Sequence, residues 1–393
     1  MKKIFLLALL ISLANLTNAQ WNKTSCPSAG QTTCFAVSDS NIFAGTKDSG
    51  VYRSSNYGNT WVKIDSGLTN TDVWSLALSD SNIFAGTVSG GIFMSSNFGA
   101  TWIAVNNGLP ISQTITAIVI SDSNIFAATN GNGVYLSTNN GSSWAAVNNG
   151  LGNVYVISLF AQGDILFAGT ELGPLYRSFN NGNNWDTANT GIPANLTVTS
   201  FAISGNNNFA GTGYGYVYMS SDNGSDWDTT GLHRNGDVNA LVVNDSIIYA
   251  GTWNGGVLVS SDTGTIWTTD NIGLTDTKVR TLVISGNYIF AGTDSGGVWR
   301  MSFPVLGIKE INNNEYGIIV YPNPALNIIT IDSRNLQFTN IDLRIYDIVG
   351  DLVLEKNLIN NKTIIDVSAF PRGTYIVEVR TEKGIEMKKF VKE

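Results

Sequence analysis

One signature recurs along this chain and limits its architecture more than any other feature. An aromatic residue followed by Ala-Gly-Thr begins at Phe43, Phe84, Phe126, Phe167, Phe209, Tyr249 and Phe290, with Ala128 replacing the glycine of the third copy. Successive copies lie 41, 42, 41, 42, 40 and 41 residues apart. A period of this length denotes a ring or stack of one supersecondary unit, each copy burying its apolar face against the next.

Eleven residues after each of the first six anchors, a serine opens the motif Ser-x-Asn/Asp-x-Gly-x-x-Trp. The first motif is Ser54, Asn56, Gly58 and Trp61. The others carry Asn97 and Trp102, Asn139 and Trp144, Asn180 and Trp185, Asp222 and Trp227, and Asp262 and Trp267. The amide or carboxylate can accept backbone N–H groups inside a tight turn, and the glycine supplies the positive φ such a turn needs. The tryptophan then brings the chain into another strand and buries a large ring. In the second copy, the strand signals are Val73–Leu78, Asn82–Thr87, Gly91–Ser95 and Thr101–Val105.

Four short strands per copy, repeated seven times, fit a radial array of four-stranded blades. A solenoid of the same period would need polar capping repeats, whereas the ends here are interrupted. The seventh copy reads Gly297-Val298-Trp299-Arg300-Met301-Ser302 and stops without a motif. Trp21 stands 22 residues before Phe43, much as Trp61 stands 23 before Phe84. Trp21 is therefore expected to start the outer strand of the last blade, which removes the open sheet edges. The expected fold is all-β, with a seven-bladed β-propeller over residues 20–303 closed by an N-terminal strand.

The six motifs resemble the Asp-box (BNR) repeats of sialidases, sortilin-type receptors, two-propeller xyloglucanases and photosystem II assembly factor-like propellers. The resemblance covers residues 21–303 and implies the fold; Asp boxes accompany unrelated activities and lie away from the active face.

The two ends of the chain read as addresses. Lys2 and Lys3, the apolar run Ile4–Leu13 and the small residues Thr17 and Ala19 form a secretory signal peptide over residues 1–19. No later stretch is apolar enough for a transmembrane span. Export would place Cys26 and Cys34 in an oxidising compartment, where either a disulfide closing the short loop or two separate thiols would fit. Residues 304–315 read as a polar linker. Residues 316–393 then present short alternating strands expected to form a small Ig-like β-sandwich. Their ordered motifs are Tyr321-Pro322-Asn323-Pro324, Ile345-Tyr346-Asp347 before Gly350, Pro371-Arg372-Gly373-Thr374-Tyr375, and a tail with Lys388, Lys389 and Lys392. This set resembles the type A C-terminal sorting domain of the type IX (Por) secretion system of Bacteroidetes. The resemblance implies the secretion machinery as partner, passage through the periplasm, and release or attachment at the outer cell surface.

Charge and residue inventory exclude several functions. The net charge is −8, and residues 21–304 hold nine bases against eighteen acids, which opposes affinity for nucleic acid. One histidine and two cysteines leave little from which to build a structural zinc site, and neither a metal nor a cofactor is expected. There is no Gly-x-Ser-x-Gly elbow and no P-loop. Asp222, Asp226 and Asp228 superficially resemble a calcium loop, but turn capping explains them better. A sialidase site is disfavoured, because the repeats hold a single glutamate, Glu171, and Arg53, Arg177 and Arg300 share one position beside the boxes.

Eight of the ten tryptophans follow the repeat, while Trp74 and Trp253 do not. Both map to the face formed by the loops before the first strands and between the second and third. Tyr214, Tyr216, His233, Arg234 and Asp237 gather near Trp253 on the same face. Aromatic faces beside hydrogen-bonding groups suit sugar rings. The expected function is therefore a secreted or surface-bound, non-catalytic propeller that recognises glycan or protein. The alternatives are a glycoside hydrolase using carboxylates among Asp72, Glu171, Asp237 and Asp276, and a purely structural or adhesive surface protein.

Overall fold

The computed structural model describes residues 20–26, 30–79, 82–233, 236–303, 319–332, 341–347, 351–358, 362–381 and 384–393. Residues 1–19, read as a signal peptide, residues 304–315, read as a linker, and Arg234 lie outside these residues. The chain divides into two compact units, Met1–Pro304 and Val305–Glu393.

The first unit is built from seven four-stranded antiparallel sheets among the described residues. Sheet 1 pairs Thr32–Ser38, Asn41–Thr46, Gly50–Ser54 and Val62–Lys63 in chain order. Sheets 2 to 6 repeat that arrangement, their first strands being Val73–Ser79, Ile115–Ser121, Val156–Gln162, Val198–Ser204 and Val238–Asn244. Sheet 7 has three consecutive strands, Val279–Ser285, Tyr288–Thr293 and Val298–Ser302, and takes its fourth from Asn22–Lys23. There Asn22 lies opposite Arg300 and Lys23 opposite Trp299. The first strand of each sheet touches the first strand of the next, and that of sheet 7 touches that of sheet 1. Seven innermost strands therefore close a cycle.

Alternation explains the layers. In the second strands, every residue after the first is buried, because Ala-Gly-Thr is small enough for neighbouring sheets to approach closely. The anchors Phe43, Phe84, Phe126, Phe167, Phe209 and Phe290 are wholly buried. Phe290 abuts Gly58 in the turn of the next sheet, where a Cβ would lie 2.7 Å from the ring. That glycine also sits at φ +76°, so both space and backbone exclude a side chain.

The six serine motifs form one repeated turn. Ser54 Oγ donates to Asn56 Oδ1 at 3.0 Å and accepts the Gly58 amide at 2.8 Å, while Asn56 Oδ1 accepts the Thr60 amide at 2.9 Å. The same three bonds recur from Ser95, Ser137, Ser178, Ser220 and Ser260. Backbone N–H bonds, that of Asp226 foremost for Asp222 and that of Ile266 for Asp262, hold these two carboxyls below their ordinary pKa. Four motif tryptophans also tie sheets together. Trp102, Trp144, Trp185 and Trp227 donate Nε1 to the carbonyls of Ile64, Val105, Val147 and Ala188 in the preceding sheet, at 2.6, 2.8, 2.7 and 2.9 Å.

One seam departs from the pattern. The last strand of sheet 5 runs Asp228–His233, six residues instead of the usual two. Gly231 follows Trp227 by four positions, whereas Gly67 follows Trp61 by six. The shortened loop pulls Gly231 against the next turn, where its amide donates to Gly264 O at 2.7 Å. Trp267 then bonds within its own turn, to Gly264 O at 2.9 Å.

Of the two arrangements open to Cys26 and Cys34, the structure has no disulfide joining them. Cys26 packs with Ile42, Ala44 and Phe290, whereas Cys34 packs with Phe43, Val73 and Leu76. Consecutive residues of Asn41–Thr46 point to opposite faces of sheet 1, so the two sulfurs lie on opposite sides of that sheet. Proximity in sequence brought them together on paper only.

The second unit holds a three-stranded sheet, Ile319–Tyr321, Ile328–Asp332 and Lys362–Asp366, and a four-stranded one ordered Leu352–Leu358, Ile341–Asp347, Gly373–Thr381, Gly384–Lys392. Ile329, Ile331 and Ile365 from the first meet Leu343, Ile345, Val377, Val379 and Phe390 from the second in one core. The motif residues have structural work. Asn323 Oδ1 accepts the Val391 amide at 2.9 Å, and Tyr375 stacks on Phe390 while its hydroxyl donates to Pro371 O at 2.8 Å.

Candidate functional site

Each first strand of the ring begins with a bulge. The pairing register shifts there in all seven sheets, leaving Thr33, Trp74, Thr116, Ile157, Thr199, Asn239 and Arg280 as extra residues. A bulge re-aims its side chain, here at the ring end that also carries the loops between second and third strands. At five seams a polar side chain reaches a valine carbonyl in the next sheet. Thr33 donates to Val73 O, Thr116 to Val156 O at 2.6 Å, Ser158 to Val198 O at 2.6 Å, Thr199 to Val238 O at 2.6 Å, and Asn239 to Val279 O at 2.9 Å. Trp74 and Arg280 make no such bond.

Trp74 is instead 46% exposed, its indole N–H donating to Asp72 Oδ1 at 3.1 Å. Burial, followed by the neighbouring Asp48, raises the pKa of the Asp72 carboxyl. The guanidinium of Arg280 lies 4.6 Å from the Trp253 ring centre, and Lys278 Nζ lies 5.4 Å from it. Arg280 is fixed by Asp294, whose Oδ1 accepts from Nε at 2.8 Å and lies 2.7 Å from Nη2. The same oxygen accepts the Gln31 amide at 2.9 Å.

Of the residues singled out in sheets 5 and 6, Tyr214, Asp237 and Trp253 are joined by hydrogen bonds. Asp237 Oδ1 accepts the Tyr214 amide at 3.2 Å, and Asp237 O accepts the Trp253 amide at 2.9 Å. Tyr216 pairs with His233 across the last two strands of sheet 5. Tyr214 is 64% exposed and sits at φ +66°, a conformation that bulky residues seldom adopt. Trp74 stands apart from this group, in sheet 2. The sequence reading did not single out Arg280, Asp294 and Gln31. It also passed over Ile111, Tyr155 and Leu172, which are exposed on the loops of sheets 3 and 4. Aligning the bulge positions could have found Arg280, because threonine occupies three of its six counterparts.

The carboxylates named for catalysis are spread out. Glu171 and Asp237 are exposed. Partial burial of Asp276 works against its charge, but the amides of Ser295 at 2.8 Å and Lys278 at 3.1 Å outweigh it and hold its pKa below the usual value. At the opposite end of the ring, Arg177 bonds Ser225 Oγ at 3.1 Å and Arg300 bonds Asn59 Oδ1 at 3.0 Å. These arginines join neighbouring turns. Among the described residues, no group of three or more His, Cys, Asp or Glu is placed to hold a metal ion, and no helix is long and apolar enough to cross a membrane.

Residues 319–393 match the family described as the secretion system C-terminal sorting domain. The second unit is a type IX secretion sorting domain. With this sorting domain the chain is directed to the cell surface or beyond it. No curated protein matches the chain in sequence. Among solved structures, YCF48 from Cyanidioschyzon merolae is 13% identical with a TM-score of 0.58, covering 74% of this chain and 100% of that one. The GH74 xyloglucanase of Xanthomonas campestris is 13% identical with a TM-score of 0.58, over 95% of this chain and 68% of that one. The extracellular domain of the hybrid two-component system BT3049 from B. thetaiotaomicron is 14% identical with a TM-score of 0.62, over 95% and 57%. At such identities the likeness establishes the fold, a β-propeller joined to the sorting domain.

Proposed function

We propose that the first unit is a seven-bladed β-propeller that binds glycan or protein without catalysis at its loop end. In this reading the Ig-like sorting domain hands it to the type IX secretion machinery. The observation that carries the binding reading is Tyr214, a large aromatic that is 64% exposed on the loop end and whose backbone is held by Asp237. Residues in sparsely populated backbone conformations cluster at functional sites. Trp74, exposed on the same end, adds a second aromatic surface. Such residues dominate recognition sites.

A second reading is favoured by one group. Asp72, with its raised pKa and Asp48 nearby, is the carboxyl best suited to act as a general acid. The two readings separate experimentally. The purified chain is offered immobilised glycans and intact cells while released reducing ends are followed. Retention without release supports binding; release that is lost in Asp72→Asn establishes hydrolysis. Removing residues 319–393 should leave the protein in the periplasm, and its appearance outside the cell would contradict the export route.

A further inference from the structure

A chain of contacts links Trp253 to Trp74 along the loop end of sheets 6, 7, 1 and 2. Arg280 lies on Trp253, Asp294 holds Arg280, and Gln31 bonds Asp294. Gln31 O accepts the Lys47 amide at 3.0 Å, Thr33 bonds Val73 O, and Asp72 holds the indole of Trp74. The strip thus has a tryptophan at each end and fixed donors and acceptors between them.

Two features set it apart from the rest of the ring. Its bulge residues Trp74 and Arg280 stand where Thr33, Thr116, Thr199 and Asn239 bond a valine carbonyl of the next sheet. At the Trp74 seam, Ser75 Oγ is buried with no hydrogen-bond partner, whereas Ser158 and Ser200 at the same position each bond a valine carbonyl. An orphaned buried hydroxyl costs stability, so the seam beside the exposed indole lacks a bond that the Ser158 and Ser200 seams make. Charge then narrows the ligand. Lys47, Lys278 and Arg280 are matched by Asp48, Asp72 and Asp294, and Arg280 is already neutralised by its carboxylate. A strip without positive surplus gives an anionic polymer no electrostatic gain.

We infer that this strip binds a neutral polysaccharide, one sugar ring stacked on Trp74 with its hydroxyls met by Asp72, and a further sugar along the chain met by the clamped Arg280–Asp294 pair. Sugar rings present an apolar C–H face and a polar rim, which matches an aromatic platform bordered by fixed polar groups. The inference rests on the binding reading of the loop end and names its ligand class. Arg280 and Asp294 act as positioned hydrogen-bonding groups, and Trp253 holds the guanidinium in place.

The test is affinity electrophoresis of the full chain in gels containing hydroxyethyl cellulose, galactomannan, xyloglucan or polygalacturonate. At least one neutral polymer should retard the protein, and polygalacturonate should not. Trp74→Ala should weaken that retardation roughly tenfold or more with unfolding temperature unchanged, as for an anchor residue of a binding site. Arg280→Lys, which keeps charge but loses the planar fork, should weaken it as well. Retardation that survives Trp74→Ala, or that occurs with polygalacturonate alone, overturns the inference. So does capture of a polypeptide through Trp74 with no neutral polymer bound, an outcome that leaves the loop-end binding reading standing. Loss of every loop-end interaction, with glycans, cells and polypeptides alike, overturns both.

Discussion

Trp21 Nε1 donates to Asp270 O at 2.7 Å across 249 residues of sequence. Trp102 makes the same bond to Ile64 O in its preceding sheet, so Trp21 supplies a fifth inter-sheet tie of this kind although its own sheet begins at Val279. Its backbone adds a second bond, to Ile272 O at 2.8 Å, and the ring is 1% exposed. Trp21→Ala removes a wholly buried ring and one hydrogen bond. The expected cost is about 3–5 kcal/mol, or roughly 6–20 °C in Tm. Calorimetry of the full chain measures it; a shift below 2 °C would mean that the closure contributes little.

Asp270 itself supplies a pH prediction. Burial raises its pKa above 3.8, and its charge in turn helps keep Tyr249, already pushed up to about 12 by burial, protonated. A carboxyl with a folded-state pKa above its unfolded value contributes stability at pH below 3.8 that is lost as pH rises through the folded value. Asp270→Asn should therefore raise Tm at neutral pH and leave it unchanged in acid. Thermal melts from pH 3 to pH 8 check the crossing. A variant that is less stable at pH 7 would show that the carboxylate has a stabilising partner.

Burial pushes the Cys34 thiol up to about 12, against smaller opposing hydrogen bonds from Thr33 and Gly45. Iodoacetamide should not modify Cys34 in the native chain and should do so after unfolding, as read by peptide mass. With no bridge to Cys26, dithiothreitol should not change Tm. A reductant-sensitive melt would reinstate the disulfide.

How much was legible in sequence depended on whether the signal was periodic. The turn at Ser54 could be read in full, because Asn56, Gly58 and Trp61 each meet one requirement of it and the set recurs five times more. The pairing of Asn22–Lys23 with Val298–Ser302 followed from the offset of Trp21 against Trp61. Features that break the period were hidden. The two-residue shortening between Trp227 and Gly231 lengthens a strand and turns Trp267 inward on its own loop, which composition cannot register. Cys26 and Cys34 are near in sequence, yet strand alternation sends them to opposite faces. Trp253 could be singled out as aperiodic, but the guanidinium on its ring comes from the bulge at Arg280, and a bulge leaves no mark in the pattern of polar and apolar residues.

The most direct test of the account compares the two ends of the ring. Trp74→Ala with Tyr214→Ala alters the loop end, and Phe98→Ala with Phe179→Ala alters exposed aromatics beside the serine motifs. Binding of both full-length double variants to a glycan array and to intact cells should fall at least roughly tenfold for the first pair and stay at the parent level for the second. Unchanged binding in the first pair, or loss confined to the second, would place recognition at the other end of the ring and contradict the account.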